Sequence, residues 1–400
     1  MTNLHFNYKD VFRASKLAIS FKKIWVAFLG FLIAFVGYGI LSYLSYMVAG
    51  IEIGEVWDTF RVVPIYPIGL PWYTWIVWAI GFLWWICVAL LTGVAVSKIT
   101  YEQLRGDEFY EMKEAIKFAI KNGKSAILTP FVLILFVIVL IIMGIILSFI
   151  TWIPYVGQLF FVVMAIPAFV VCGFIIYLLI VLIVCLHIGP SIVGETGNDT
   201  FDTLFESFSV LNDQSWRFFV YEILLHILVI IGIGVVGYLA AKAIFIGQDV
   251  LSIIEPVGAK LSNILENATY YVKITLPPIC PDSYHNFFTE YVEWIGMPNL
   301  LFPPEYIPPY QGWAGAIASF ILGIMYYLIT LFVISFGSVI FWAGNTLIFT
   351  VLVKKKDDKN LLEIKEESFE EPIAEQKSEA AKEKKTKRTR RKKEKKPEED

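Results

Sequence analysis

The fold class this sequence predicts is an all-α integral membrane protein: six transmembrane helices in three pseudo-repeats, each led by an amphipathic interfacial helix, with a disordered charged C-terminal tail. Three observations carry the prediction. The 400 residues are 57% hydrophobic and only 17% charged, where soluble chains carry about a quarter charged residues. Six apolar runs are each long enough for the ~20 helical residues that cross a ~30 Å hydrocarbon layer. Lys and Arg gather on alternate connections between those runs, as they do on the cytosolic side of membrane proteins.

The chain begins with a basic stretch, Lys9, Arg13, Lys16, Lys22 and Lys23. It has no small-residue cleavage site, and the apolar run behind it is too long for a signal-peptide core, so no cleaved leader is expected. The predicted spans are roughly 24–49, 72–97, 125–150, 157–187, 218–241 and 314–353. The first four hold no Asp, Glu, Lys or Arg, and the sixth has none before Lys354.

Lys98, Arg105, Lys113, Lys117, Lys121 and Lys124 lie between the second and third spans, Arg217 before the fifth, and Lys354, Lys355 and Lys356 after the sixth. The opposite connections offer Arg61, Lys242, Lys260 and Lys273 over a greater length. This bias puts both termini in the cytosol and the protein in the cell membrane. Trp57, Trp72, Trp75, Trp152 and Trp313 fall near the predicted outer interfaces, as an aromatic belt would.

Each odd-numbered span follows a segment with apolar residues at three- and four-residue spacing: DVFRASKLAISFKKIW (10–25), YEMKEAIKFAIKNGKSA (110–126) and TLFESFSVLNDQSW (203–216). That spacing predicts a helix with one apolar face. The second and third units align without a gap, since Gly81 to Ala115 and Gly173 to Ser207 are both 34 residues, and Asp107 falls on Asp199. The organisation read from this is unit 1 at 1–106, unit 2 at 107–198, unit 3 at 199–353 and a tail at 354–400. Such pseudo-symmetry fits either a pathway along its axis or duplication of a membrane hairpin with no pore. Lipid contact is expected of the first two amphipathic helices. Protein packing is expected of the third, which carries Glu195, Asp199, Asp202, Glu206 and Asp213 in and around it.

Ionisable groups inside spans are costly and usually functional, and this chain has few. Glu222 and His226 stand one helical turn apart on the fifth span and would share a face. They could form a proton relay or half of a metal site, or sit at the interface with Arg217. Asn345 lies about 13 Å deep from Lys354, where an amide bonds another helix or contacts a substrate. The other histidines, His5, His187 and His285, are scattered over different segments. No nucleophile elbow, phosphate loop, HExxH or paired carboxylates occur, and Cys87, Cys172, Cys185 and Cys280 make no CxxC. The expectation is no enzyme, no cofactor and no metal.

Residues 242–313 form a large outer loop in which 246–268 reads as a short amphipathic helix, making either a cap over the outer face or a partner site. The tail is acidic over 363–376 and then basic, with Lys384, Lys385, Lys387, Arg388, Arg390, Arg391, Lys392, Lys393, Lys395 and Lys396. It cannot build a core. It could dock on anionic lipid, at about 1 kcal/mol per charge near the surface, or on a protein partner. It could also bind RNA or a ribosome electrostatically, or simply remain solvated.

In layout the chain resembles prokaryotic six-span membrane families, among them the membrane domain that accompanies glycerophosphodiester phosphodiesterases. EAIKFAIKN (114–122) and ESFSVLND (206–213) ahead of a span carry the resemblance, which covers about residues 8–353. It implies a membrane domain and transfers no catalytic chemistry. The role expected is a non-enzymatic organising or assembly component with the bilayer as first partner. The alternative is a transporter or channel whose path between the units would be lined by Glu222, His226 and Asn345.

Overall fold

The computed structural model describes residues 4–60, 69–271, 290 and 312–363. Two short helices, α1 (Tyr8–Val11) and α2 (Arg13–Ala18), lead into α3 (Phe21–Val48). There follow α4 (Ile53–Phe60), α5 (Trp72–Arg105), α6 (Met112–Asn122), α7 (Lys124–Ser148), α8 (Val156–Thr196), α9 (Thr200–Ser252), α10 (Glu255–Tyr271) and α11 (Trp313–Asp357). Among the described residues, six helices are long and apolar enough to cross a membrane, one for each predicted apolar run. The basic tail and the loop segments LPPICP and FPPEYIPPY lie outside the described residues.

The helices overrun the spans predicted for them. α11 has 45 residues, about 68 Å at 1.5 Å per residue, more than twice the hydrocarbon thickness. α5, α8 and α9 continue well beyond residues 97, 187 and 241. Hydropathy marks where lipid begins, whereas a helix continues for as long as packing sustains its backbone. At the basic end, where Lys98, Lys124 and Lys354 lie, the extensions are packed on one another. Thr92–Glu102, Ile188–Glu195 and Trp342–Val353 are buried without interruption. A helix covered on all sides sits in the middle of its bundle, and α11 packs against α2, α3, α5, α8, α9 and α10 along its length.

Small residues let these helices approach. A Cβ at Gly344 would stand 2.1 Å from Leu225 Cδ1 on α9, and one at Gly93 would meet the Trp342 ring at 2.8 Å. At Gly194 the obstacle is α5 itself, with Ser97 Cβ at 2.8 Å and the Lys98 backbone nitrogen at 3.1 Å. Such contacts drive helix association where lipid is as apolar as the side chains. Polar groups meet across helices within the packed end: Ser97 and Ser191 hydroxyls lie 3.2 Å apart, and Thr350 donates to Glu195 Oε2 at 3.0 Å. Lys23 donates to Thr100 at 3.2 Å, and Lys98 pairs with Glu102 at 2.7 Å. Beyond α11 the chain turns back, held by the Tyr101 hydroxyl donating to the Leu361 carbonyl at 2.8 Å.

The amphipathic segments are helical with local corrections. The first, expected over 10–25, is broken at Ile19 and Ser20, both of which have non-helical backbone angles. The second ends at Gly123, where α6 meets α7. The third is no separate element: it is the beginning of α9, marked off by a kink at Gln214 (φ −135°, ψ 29°) whose side chain accepts from Arg217. All three bury a face against protein, including the two expected on lipid. Ala14 and Ala18 of α2 and Ala115 and Ala119 of α6 are turned inward, while Phe12, Ile19 and Ile120 are exposed. These helices therefore bury alanines on one face and leave large apolar side chains exposed on another.

The opposite end divides in two. The helix expected over 246–268 is split, its first part belonging to α9 and the rest to α10. α10 folds back so that Ala268 packs with Ala241 of α9 and Tyr326 of α11. With Trp57 of α4 against Phe320, this forms a cap. The α7–α8 hairpin stands apart: every residue of Ile141–Val156 is exposed.

Candidate functional site

The polar residues singled out within the spans do not gather as one group. Asn345 is fully buried on the packed stretch of α11, where its amide donates to the carbonyl of Phe341 one turn back at 3.1 Å. It is a helix-packing residue beside the tight Gly344–Leu225 contact. Glu222 and His226 do share a face of α9, as their spacing requires, with His226 Nδ1 at 3.6 Å from Glu222 Oε2.

The third member of the cluster is His187 of α8, which motif reading passed over. A nitrogen of each imidazole and a carboxylate oxygen of Glu222 lie within 4.8 Å of one another. The two rings are 5.6 Å apart between centroids. Phe341 of α11 wedges against both, at 5.5 and 5.7 Å. Three spans therefore build the site: α8 gives one imidazole, α9 a carboxylate and the second imidazole, and α11 an apolar wall.

Hydrogen bonds fix both rings. His187 Nδ1 lies 2.7 Å from the Ile183 carbonyl and His226 Nδ1 2.7 Å from the Glu222 carbonyl. A carbonyl only accepts, so each Nδ1 carries the hydrogen and each neutral ring keeps its lone pair on Nε2. Glu222 is buried, and neither carboxylate oxygen has a hydrogen-bond partner. His226 is half-exposed at its side chain, which opens one flank of the cluster. The depth is shared as well: His187 is nine residues before Thr196 and His226 nine after Arg217, each about 14 Å along a helix.

Two surface cavities open elsewhere at the basic end, one lined by Phe6 and Lys354–Asp358 and the other by Ser20–Lys22 with Gln103 and Tyr110. Neither includes a residue of the cluster. No protein-family model, curated protein or solved structure matches this chain.

Proposed function

We propose that this polytopic protein is a non-enzymatic organising component of the membrane, a packed platform at its basic end that docks partners through the charged tail. The observation that carries this reading is the burial of Trp342–Val353 on every side. A path between three pseudo-symmetric units would run where this helix lies, and bulky Trp342, Leu347, Ile348 and Phe349 occupy that place with almost no exposure. Duplication of a membrane hairpin without a pore accounts for such a filled centre. The bare α7–α8 hairpin adds a large apolar surface available to lipid or to another membrane protein.

The docking role falls on Lys384–Lys396, attracted to an anionic leaflet or an acidic partner. Full-length chain in neutral nanodiscs should co-float with phosphatidylserine-containing vesicles at low salt. Deletion of 380–400, or 1 M salt, should abolish co-flotation. Co-flotation that persists in the deletion would refute docking by the tail.

A transporter or channel is the second reading, and the histidine–carboxylate cluster is the observation that favours it. Proteoliposomes decide between the two: the organising reading expects ion and solute flux at the level of protein-free vesicles. Flux that Glu222→Gln abolishes would replace it with the transport reading.

A further inference from the structure

We propose that His187, Glu222 and His226 form a binding site for a borderline-soft divalent transition metal ion, of which zinc is the type. The argument is independent of the organising role and begins with acceptors. With both Nδ1 hydrogens given to backbone carbonyls, each neutral imidazole keeps one free lone pair, on Nε2, beside a buried carboxylate. Among the described residues no donor satisfies either oxygen of Glu222. Both imidazoles and the carboxylate bring a nitrogen or an oxygen within 4.8 Å of one another, and a buried carboxylate without hydrogen bonds is costly. A cation held among them removes that penalty.

The donor set selects the kind of cation. Two neutral imidazoles with one carboxylate suit zinc, cobalt or iron(II), whereas magnesium and calcium prefer all-oxygen shells. Ligands at about 2.0–2.2 Å in tetrahedral geometry stand roughly 3.3 Å from one another. The present spacing therefore needs only a modest inward turn of the side chains. The outer-shell contact that metal-binding histidines usually make, Nδ1–H to a backbone carbonyl, is already in place on both rings. Three protein ligands leave a fourth position, which the exposed flank of His226 opens to water, an exogenous ligand or a lipid headgroup. One carboxylate also halves the charge of a divalent ion placed about 14 Å along α8 from its end at Thr196.

The test uses the full-length chain in detergent, free of any affinity tag, stripped with chelator and titrated with Co²⁺. One equivalent should bind, with visible absorption of a low-symmetry nitrogen/oxygen site, and one equivalent of Zn²⁺ should displace it. His187→Gln, Glu222→Gln and His226→Gln should each weaken binding by more than the roughly 10–100-fold that loss of an outer-shell partner costs. A His5→Gln/His285→Gln double variant should bind as the parent does. Because a core variant can fail to fold, the unmodified chain supplies a second reading: Zn²⁺ should protect His187 and His226, but not His5, from diethyl pyrocarbonate. Less than a tenth of an equivalent bound, binding that follows His5 and His285, or modification of His226 indifferent to Zn²⁺ would each overturn the site.

Discussion

The basic ends of α5, α8 and α11 and the far half of the α7–α8 hairpin all belong to helices apolar enough to cross a membrane, and they are opposite in structure. Trp342–Val353 has no exposed residue; Ile141–Val156 has no buried one. Composition separates them. The packed stretch reads WAGNTLIFTVLV and its partners on α5 and α8 supply Gly93, Ser97, Ser191 and Gly194, small or hydroxylated residues that admit a neighbouring helix. The hairpin reads IIMGIILSFITWIPYV, mostly branched and aromatic side chains. In lipid, apolarity alone gives a helix no reason to pack, because the acyl chains are just as apolar. Close approach and hydrogen bonding provide that reason.

The sharpest way to break the comparison is to place the same bulk in both regions. Gly194→Leu drives a side chain into the α5 backbone and should cost about 3 kcal/mol or prevent folding, the upper range for overpacking. Gly144→Leu, with nothing within 4 Å of its Cβ position, should change stability by under about 0.5 kcal/mol. Reversible unfolding in mixed detergent micelles measures both, and equal losses would dissolve the contrast.

A hydroxyl pair gives a smaller effect. Thr350→Val removes the hydrogen bond to buried Glu195 and should cost about 1–2 kcal/mol. Thr151→Val, on the exposed turn where the hydroxyl only donates to Ser148, should be close to neutral in the same assay. A surface ion pair gives a further small loss, in Lys356→Ala. It loses the 2.7 Å pair with Glu206 that ties α11 to the start of α9, a partly exposed contact worth under about 1 kcal/mol. The difference from the parent should shrink further in 1 M salt, read as converging melting midpoints.

Six spans were legible because uncharged runs of that length are stable in lipid. Their ends were not, since packing rather than hydropathy carries α5, α8, α9 and α11 onward. The apolar rhythm of the amphipathic segments identified helices but not their orientation, because apolar residues lie on both faces: Ala14, Ala18, Ala115 and Ala119 are buried, while Phe12, Ile19 and Ile120 are exposed. Glu222 and His226 were readable together from helical spacing. His187 was not: it stands on a different helix, and only the packing of α8 against α9 brings it to the pair. Depth alone has Asn345 bond another helix or contact a substrate; it is buried beside Gly344 with its amide donating within its own helix, to the Phe341 carbonyl.

Photoactivatable phospholipids carrying a diazirine on the acyl chain, reconstituted with the unmodified chain and followed by peptide mass spectrometry, test the division most directly. Adducts should concentrate on 134–176 and be absent from 342–353. Comparable labelling of 342–353 would mean that α11 is open to lipid and that the packed centre does not exist in the membrane.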